Sequence, residues 1–134
     1  MSSIDSIPVS LQFSPSSMVA AILQEIDALL TKLLQDNESA AIDLRSLPLF
    51  PGDEQALKDL LGAGEVTVKL DALGPSEIFE TLIPGVWWCT HYNEAREKIA
   101  EIIEITRVPA IVLTDVYEMR GAREKLKTLI ERTA

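Results

Sequence analysis

Two reversals built from the same pair of residues, Gly74-Pro75 and Pro84-Gly85, constrain this chain more than any other feature. Proline pre-sets φ near −65° and glycine reaches angles closed to other residues, so each pair turns the backbone sharply and fixes the register of its flanks. The flanking runs have the period of half-buried strands. Val66, Val68 and Leu70 alternate with Thr67, Lys69 and Asp71. Glu77 to Ile83 is predicted as a second strand and the aromatic run Val86 to Tyr92 as a third. Asn93 to Glu97 turns the chain again. Lys98 to Thr106, with Ile99, Ile102, Ile103 and Ile105, reads as a fourth strand because β-branched side chains favour the extended state. Connections this short exclude crossovers, so the strands form an antiparallel meander.

Helical spacing flanks this core. Residues 1–14 are rich in Ser and Pro and read as an arm. Ser14 can cap a helix that opens at Pro15, where the missing N–H has no intrahelical partner to lose. Val19, Ile22, Leu23, Ile26, Leu29, Leu30 and Leu33 then form one apolar stripe. Ala40 to Leu44 reads as a short strand, and Leu47 to Gly52 as a loop because Pro48 and Pro51 break any helix. Asp53 to Leu61 is predicted helical, with Ala56, Leu57, Leu60 and Leu61 inward and Gly62 at its end. A final helix covers much of 112–132, with Gly121 as a point where it breaks or kinks, since glycine costs about 1 kcal/mol there relative to alanine. The expected fold is α+β: an antiparallel β-meander of four to five strands with helices packed on one face, in a single domain over 15–134 preceded by the arm 1–14.

The formal net charge of −9 argues against nucleic acid, whose phosphates call for Lys and Arg, and against anionic membranes. An acidic surface suits a partner with a basic patch. One cysteine excludes an internal disulfide. MSSIDSIPVSLQFSPSS has neither a basic start nor a continuous apolar stretch, and no run approaches the roughly 20 apolar residues that span a bilayer, so a cytoplasmic location is expected.

Chemistry-bearing motifs are sparse. Gly62-Ala63-Gly64 lacks the third glycine of a dinucleotide site, and no GxxxxGK[ST] pattern occurs. Cys89 and His91, the sole thiol and imidazole, lie two residues apart on a strand and face the same way. A nucleophile pair needs contact and an orienting group, and a structural zinc needs four ligands, so a buried thiol beside a polar residue is the expectation and a small metal- or redox-active protein the alternative. Glu77, Glu80, Glu101 and Glu104 read as a charged solvent face of the sheet. Trp87 and Trp88 leave a strand on opposite faces: one enters the core beneath the helices, and the other is either covered from the far side or exposed as a binding anchor.

Five segments in order resemble the hydrogenase expression proteins of the HupH/HyaF type. Ile42-Asp43-Leu44-Arg45-Ser46-Leu47-Pro48 is similar to that family's entry segment and Gly62-Ala63-Gly64-Glu65-Val66 to its step into the meander. Leu73-Gly74-Pro75-Ser76-Glu77 and Pro84-Gly85-Val86-Trp87 resemble its turn motifs, and Ile103-Glu104-Ile105-Thr106-Arg107-Val108-Pro109 its closing strand. The match is to the domain at the C-terminal end of longer members, and the short N-terminus leaves little room here for further modules. The resemblance implies a non-enzymatic, chaperone-like accessory factor in nickel-iron hydrogenase maturation, without cofactor, catalytic residue or metal of its own. Its implied partners are a hydrogenase subunit precursor or other maturation proteins, and self-association stays open. A generic protein-interaction module is the other alternative. Ser76, Glu77, Trp87 and His91, at turns or strand ends, are the residues expected to meet a partner.

Overall fold

The computed structural model describes residues 16–134. Both the arm and the Ser14–Pro15 helix start lie outside them. Helix α1 (Ser17–Asp36) is capped by Ser16, whose side chain accepts from the Val19 N–H, and ends at Asn37 in the left-handed region. Strand β1 (Ala40–Asp43) and a 3-10 turn (Leu44–Ser46) lead to helix α2 (Asp53–Leu61). Strands β2 (Thr67–Asp71), β3 (Pro75–Glu80), β4 (Val86–Tyr92) and β5 (Lys98–Ile105) follow, then a second 3-10 turn (Ala110–Val112) and helix α3 (Val116–Thr133).

The fold is α+β. The five strands form one antiparallel sheet in the order β1-β5-β4-β3-β2, so the meander is complete and β1 joins it beside β5. Directly opposed residues share a face, and the register sorts the sheet into two. On the inner face Phe79, Trp88, Ile103 and Ile42 lie in one row beneath α1 and α2, packed with Val19, Ile22, Ile26, Leu57 and Leu61. On the outer face Ile78, Cys89 and Trp87 form a second apolar cluster, bordered by Val68, Leu70, Ile102 and Val112.

Several expectations are corrected. Strand β3 stops at Glu80, because Thr81 turns the chain by bonding the carbonyls of Ile83 and Val86 with its hydroxyl. Leu60 is exposed, since α2 is short and only its Leu57/Leu61 edge meets the sheet. Glu101, expected on a solvent face, is fully buried. Gly121 neither breaks nor kinks α3 into separate segments. The helix runs unbroken through it, and every residue of that helix is exposed, so among the described residues α1 and α2 are the helices that cover the inner face.

Gly74 has φ +117°, and a Cβ there would run into the backbone of Tyr92 and Asn93. Gly121 has open space around its Cα. Gly74→Ala is expected to lower unfolding stability by about 2 kcal/mol, read by denaturant titration. Gly121→Ala is expected to raise the helical circular-dichroism signal without loss of stability.

Candidate functional site

Two clusters of polar groups stand out, one on each face. On the inner face Glu101 lies in the row Glu77–Thr90–Glu101. Its Oε2 accepts from the indole N–H of Trp88 and, at 2.6 Å, from the hydroxyl of Thr90. Its Oε1 has the Lys98 ammonium at 2.7 Å, and Lys98 also reaches Glu54 of α2 at 3.3 Å. Lys58 of α2 lies over the Trp88 ring, 5.2 Å from its centroid. Burial pushes the Glu101 carboxyl up, but hydrogen bonds from Lys98, Thr90 and Trp88 and the Lys98 charge outweigh it and hold the pKa below its ordinary value. The cluster ties β4, β5 and α2 together.

On the outer face β3 and β4 place Ser76 opposite His91, and the Ser76 hydroxyl lies 2.7 Å from Nδ1 of the imidazole. Ser76 is buried and His91 half-buried. Glu77 is exposed and points to the inner side of the same end of the sheet. Trp87 sits toward the other end, in the row Glu80–Trp87–Glu104. It is only 6% exposed, and its indole N–H donates to the Thr106 carbonyl at 3.1 Å. Neither tryptophan is therefore an exposed anchor. Of the four residues expected to meet a partner, the structure brings Ser76 and His91 into contact, leaves Glu77 beside them on the opposite face, and buries Trp87 away from them.

The thiol of Cys89 donates to Glu104 Oε1 at 3.4 Å. Cys89 and His91 share a face, yet each is held by a different neighbour. Burial, together with the charge and hydrogen bond of Glu104 and the charge of Glu101, pushes the Cys89 pKa up to about 12. A nucleophilic or metal-binding sulfur must be a thiolate, which this setting suppresses. Among the described residues no group of three or more His, Cys, Asp or Glu is placed to hold a metal ion. Among the described residues, too, no helix is long and apolar enough to cross a membrane.

Two predictions follow from these pKa shifts. A carboxyl whose folded pKa is depressed contributes its full stability above its ordinary value of 4.5 and loses it as pH falls through the lower folded value. Glu101→Gln is expected to cost about 3 kcal/mol at pH 7 and to flatten the acid limb of the stability–pH curve below that value. For Cys89, a folded pKa of about 12 against an ordinary 9.0 leaves roughly 10³-fold less thiolate at pH 8. Labelling by a thiol-specific disulfide reagent is therefore expected to be at least roughly 10³-fold slower in the folded protein than in denaturant.

Comparison with known proteins bears on what these faces serve. The chain is 28% identical over 111 residues to the hydrogenase expression/formation protein HoxQ of Cupriavidus necator, covering 83% of this chain and 39% of that protein. It is 23% identical over 129 residues to the hydrogenase expression/formation protein HupH of Rhizobium leguminosarum bv. viciae, covering 93% of this chain and 46% of that protein. It thus spans less than half the length of these curated relatives. The solved structure of the hydrogenase expression protein HupH from Thiobacillus denitrificans superposes with a TM-score of 0.84 at 37% identity, covering 89% of this chain and 99% of that one. The family model for the C-terminal conserved region of the HupH hydrogenase expression protein matches residues 18–133. With the meander, both turn motifs and nearly all of the described residues accounted for, this chain belongs to the HupH hydrogenase expression protein family through its C-terminal conserved region.

Proposed function

We propose that this domain acts in hydrogenase maturation as a binding factor, without chemistry of its own, that holds an immature nickel-iron hydrogenase subunit or another assembly protein. Membership of the HupH family carries the reading. The electrostatics support it: the thiol is held protonated by burial and two carboxylates, and the imidazole is engaged by a hydroxyl. A site of this kind offers shape and hydrogen bonds rather than a nucleophile.

The contact region we assign is the end of the sheet where β3 begins and β4 ends. Ser76 and His91 supply one fixed polar pair there and Glu77 an exposed carboxylate beside it. Trp87 supports this face from within rather than by touching the partner. An overall charge of −9 suits a partner with a basic patch.

The test is co-purification of hydrogenase precursors from cells that make the enzyme, using the full chain as bait. His91→Ala with Glu77→Lys is expected to reduce capture at least tenfold while leaving thermal unfolding within a few degrees of the parent. If deleting the gene left precursor processing and hydrogenase activity unchanged, the proposal would fail.

A further inference from the structure

Helix α3 is the feature that the sheet and its polar clusters leave unexplained. Val116, Met119, Ala122, Leu126, Leu129 and Ile130 recur at helical spacing and form one apolar stripe. Every large one of them is at least half exposed, and among the described residues nothing packs on that stripe. The helix is well begun, with Asp115 accepting from the Tyr117 N–H at 2.8 Å. Yet a helix in a protein draws most of its stability from packing of its amphipathic face, and among the described residues this one has no surface over its stripe.

Charge indicates what that surface is. Within Val116–Thr133, Arg120, Arg123, Lys125, Lys127 and Arg132 face three glutamates, a surplus of two positive charges. The remainder of the chain holds seven basic residues against eighteen acidic ones. The helix is thus the basic segment of an acidic protein. Two such helices repel each other when paired, whereas the body of another molecule attracts them.

The body also offers a place. At the C-terminal end of α1 an open apolar groove of ≈ 520 Å³ is lined by Leu30, Leu33, Leu34, Pro84 and Gly85. Leu34 is 81% exposed. Asn37 and Arg107 also line the adjoining hollow that runs past Thr106 and Val108 to Leu113, three residues before α3 begins. Asp36, the last residue of α1, and Glu38, two residues on, place acidic groups at this end.

We infer that the chain self-associates by exchange of its C-terminal helix, α3 of each copy lying in the Leu30–Leu34–Pro84 groove of the other. The hollow adjoining the groove reaches Leu113, three residues before α3, so a two-fold axis near Leu113 lets each helix, unpacked on its own copy, enter its neighbour's groove. A helix of this length is a cylinder about 27 Å long and 10 Å wide. Two of them, each laying half its surface on the other copy, remove on the order of 1,500 Å² from water, the size of a stable interface. The inference does not depend on a role in hydrogenase maturation.

Sedimentation equilibrium of the full chain tests it. A dimer is expected at 50 µM, as a loading concentration of about the usual order for μM affinities. Because α3 packs on nothing among the described residues of its own copy, Leu126→Glu with Leu129→Glu leaves the fold intact and is expected to weaken the dimer at least about 100-fold. Leu34→Glu, in the groove, is expected to weaken it at least about tenfold. Unchanged near-ultraviolet circular dichroism from the tryptophans verifies folding in each variant. A parent chain that stays monomeric at this concentration, or a dimer indifferent to the α3 double variant, overturns the inference. A dimer broken by the α3 variant but indifferent to Leu34→Glu overturns the assignment of the groove.

Discussion

Glu101 carries a carboxylate into a layer made otherwise of Trp88, Ile103, Leu57 and Val19, and the Trp88 indole, the Thr90 hydroxyl and the Lys98 ammonium hold it there. Three consequences follow for the rest of the structure. The register of β4 on β5 is locked, because a slip of one residue would turn Trp88 and Thr90 to the far face and strand a buried charge. Helix α2 is tied to the sheet by the same lysine through Glu54. And Trp88, committed inward, obliges Trp87 to face outward, which gives the second face its apolar centre.

On that second face the polar groups are paired within the fold. Its hydroxyl and imidazole satisfy each other, its thiol meets Glu104, and Glu80 accepts from the Gly85 N–H in the turn to β4. Groups arranged so are spent on structure, and what they present outward is a fixed contour. Under the proposed role such rigidity would help, since little ordering remains at the encounter with a partner.

Much of this was legible in the residues, and for local reasons. The turns at Gly74-Pro75, Pro84-Gly85 and Asn93–Glu97 are set by nearby chemistry, so β2 to β5 lie within a few residues of where periodicity places them. The opposite facing of Trp87 and Trp88 follows from the pleat alone. The place of β1 beside β5 was not legible, because its partners lie about sixty residues away along the chain. Glu101 is buried where its sequence context points to solvent: an acidic residue among isoleucines reads as solvent-facing until the donors across the ladder are known. The Ser76–His91 contact likewise exists only once register is fixed. For α3 the apolar period of Val116, Met119, Leu126 and Ile130 reports a stripe and says nothing of what covers it.

The pairing of β1 with β5 also bears on how the chain acquires its shape. The hairpins of β2 to β5 join neighbours and close short loops, whereas Ala40 must find Ile105. During synthesis β1 leaves the ribosome early and remains without its ladder until β5 has been made. The sheet is then sealed by its oldest strand, and such late, long-range closure sets the pace of folding.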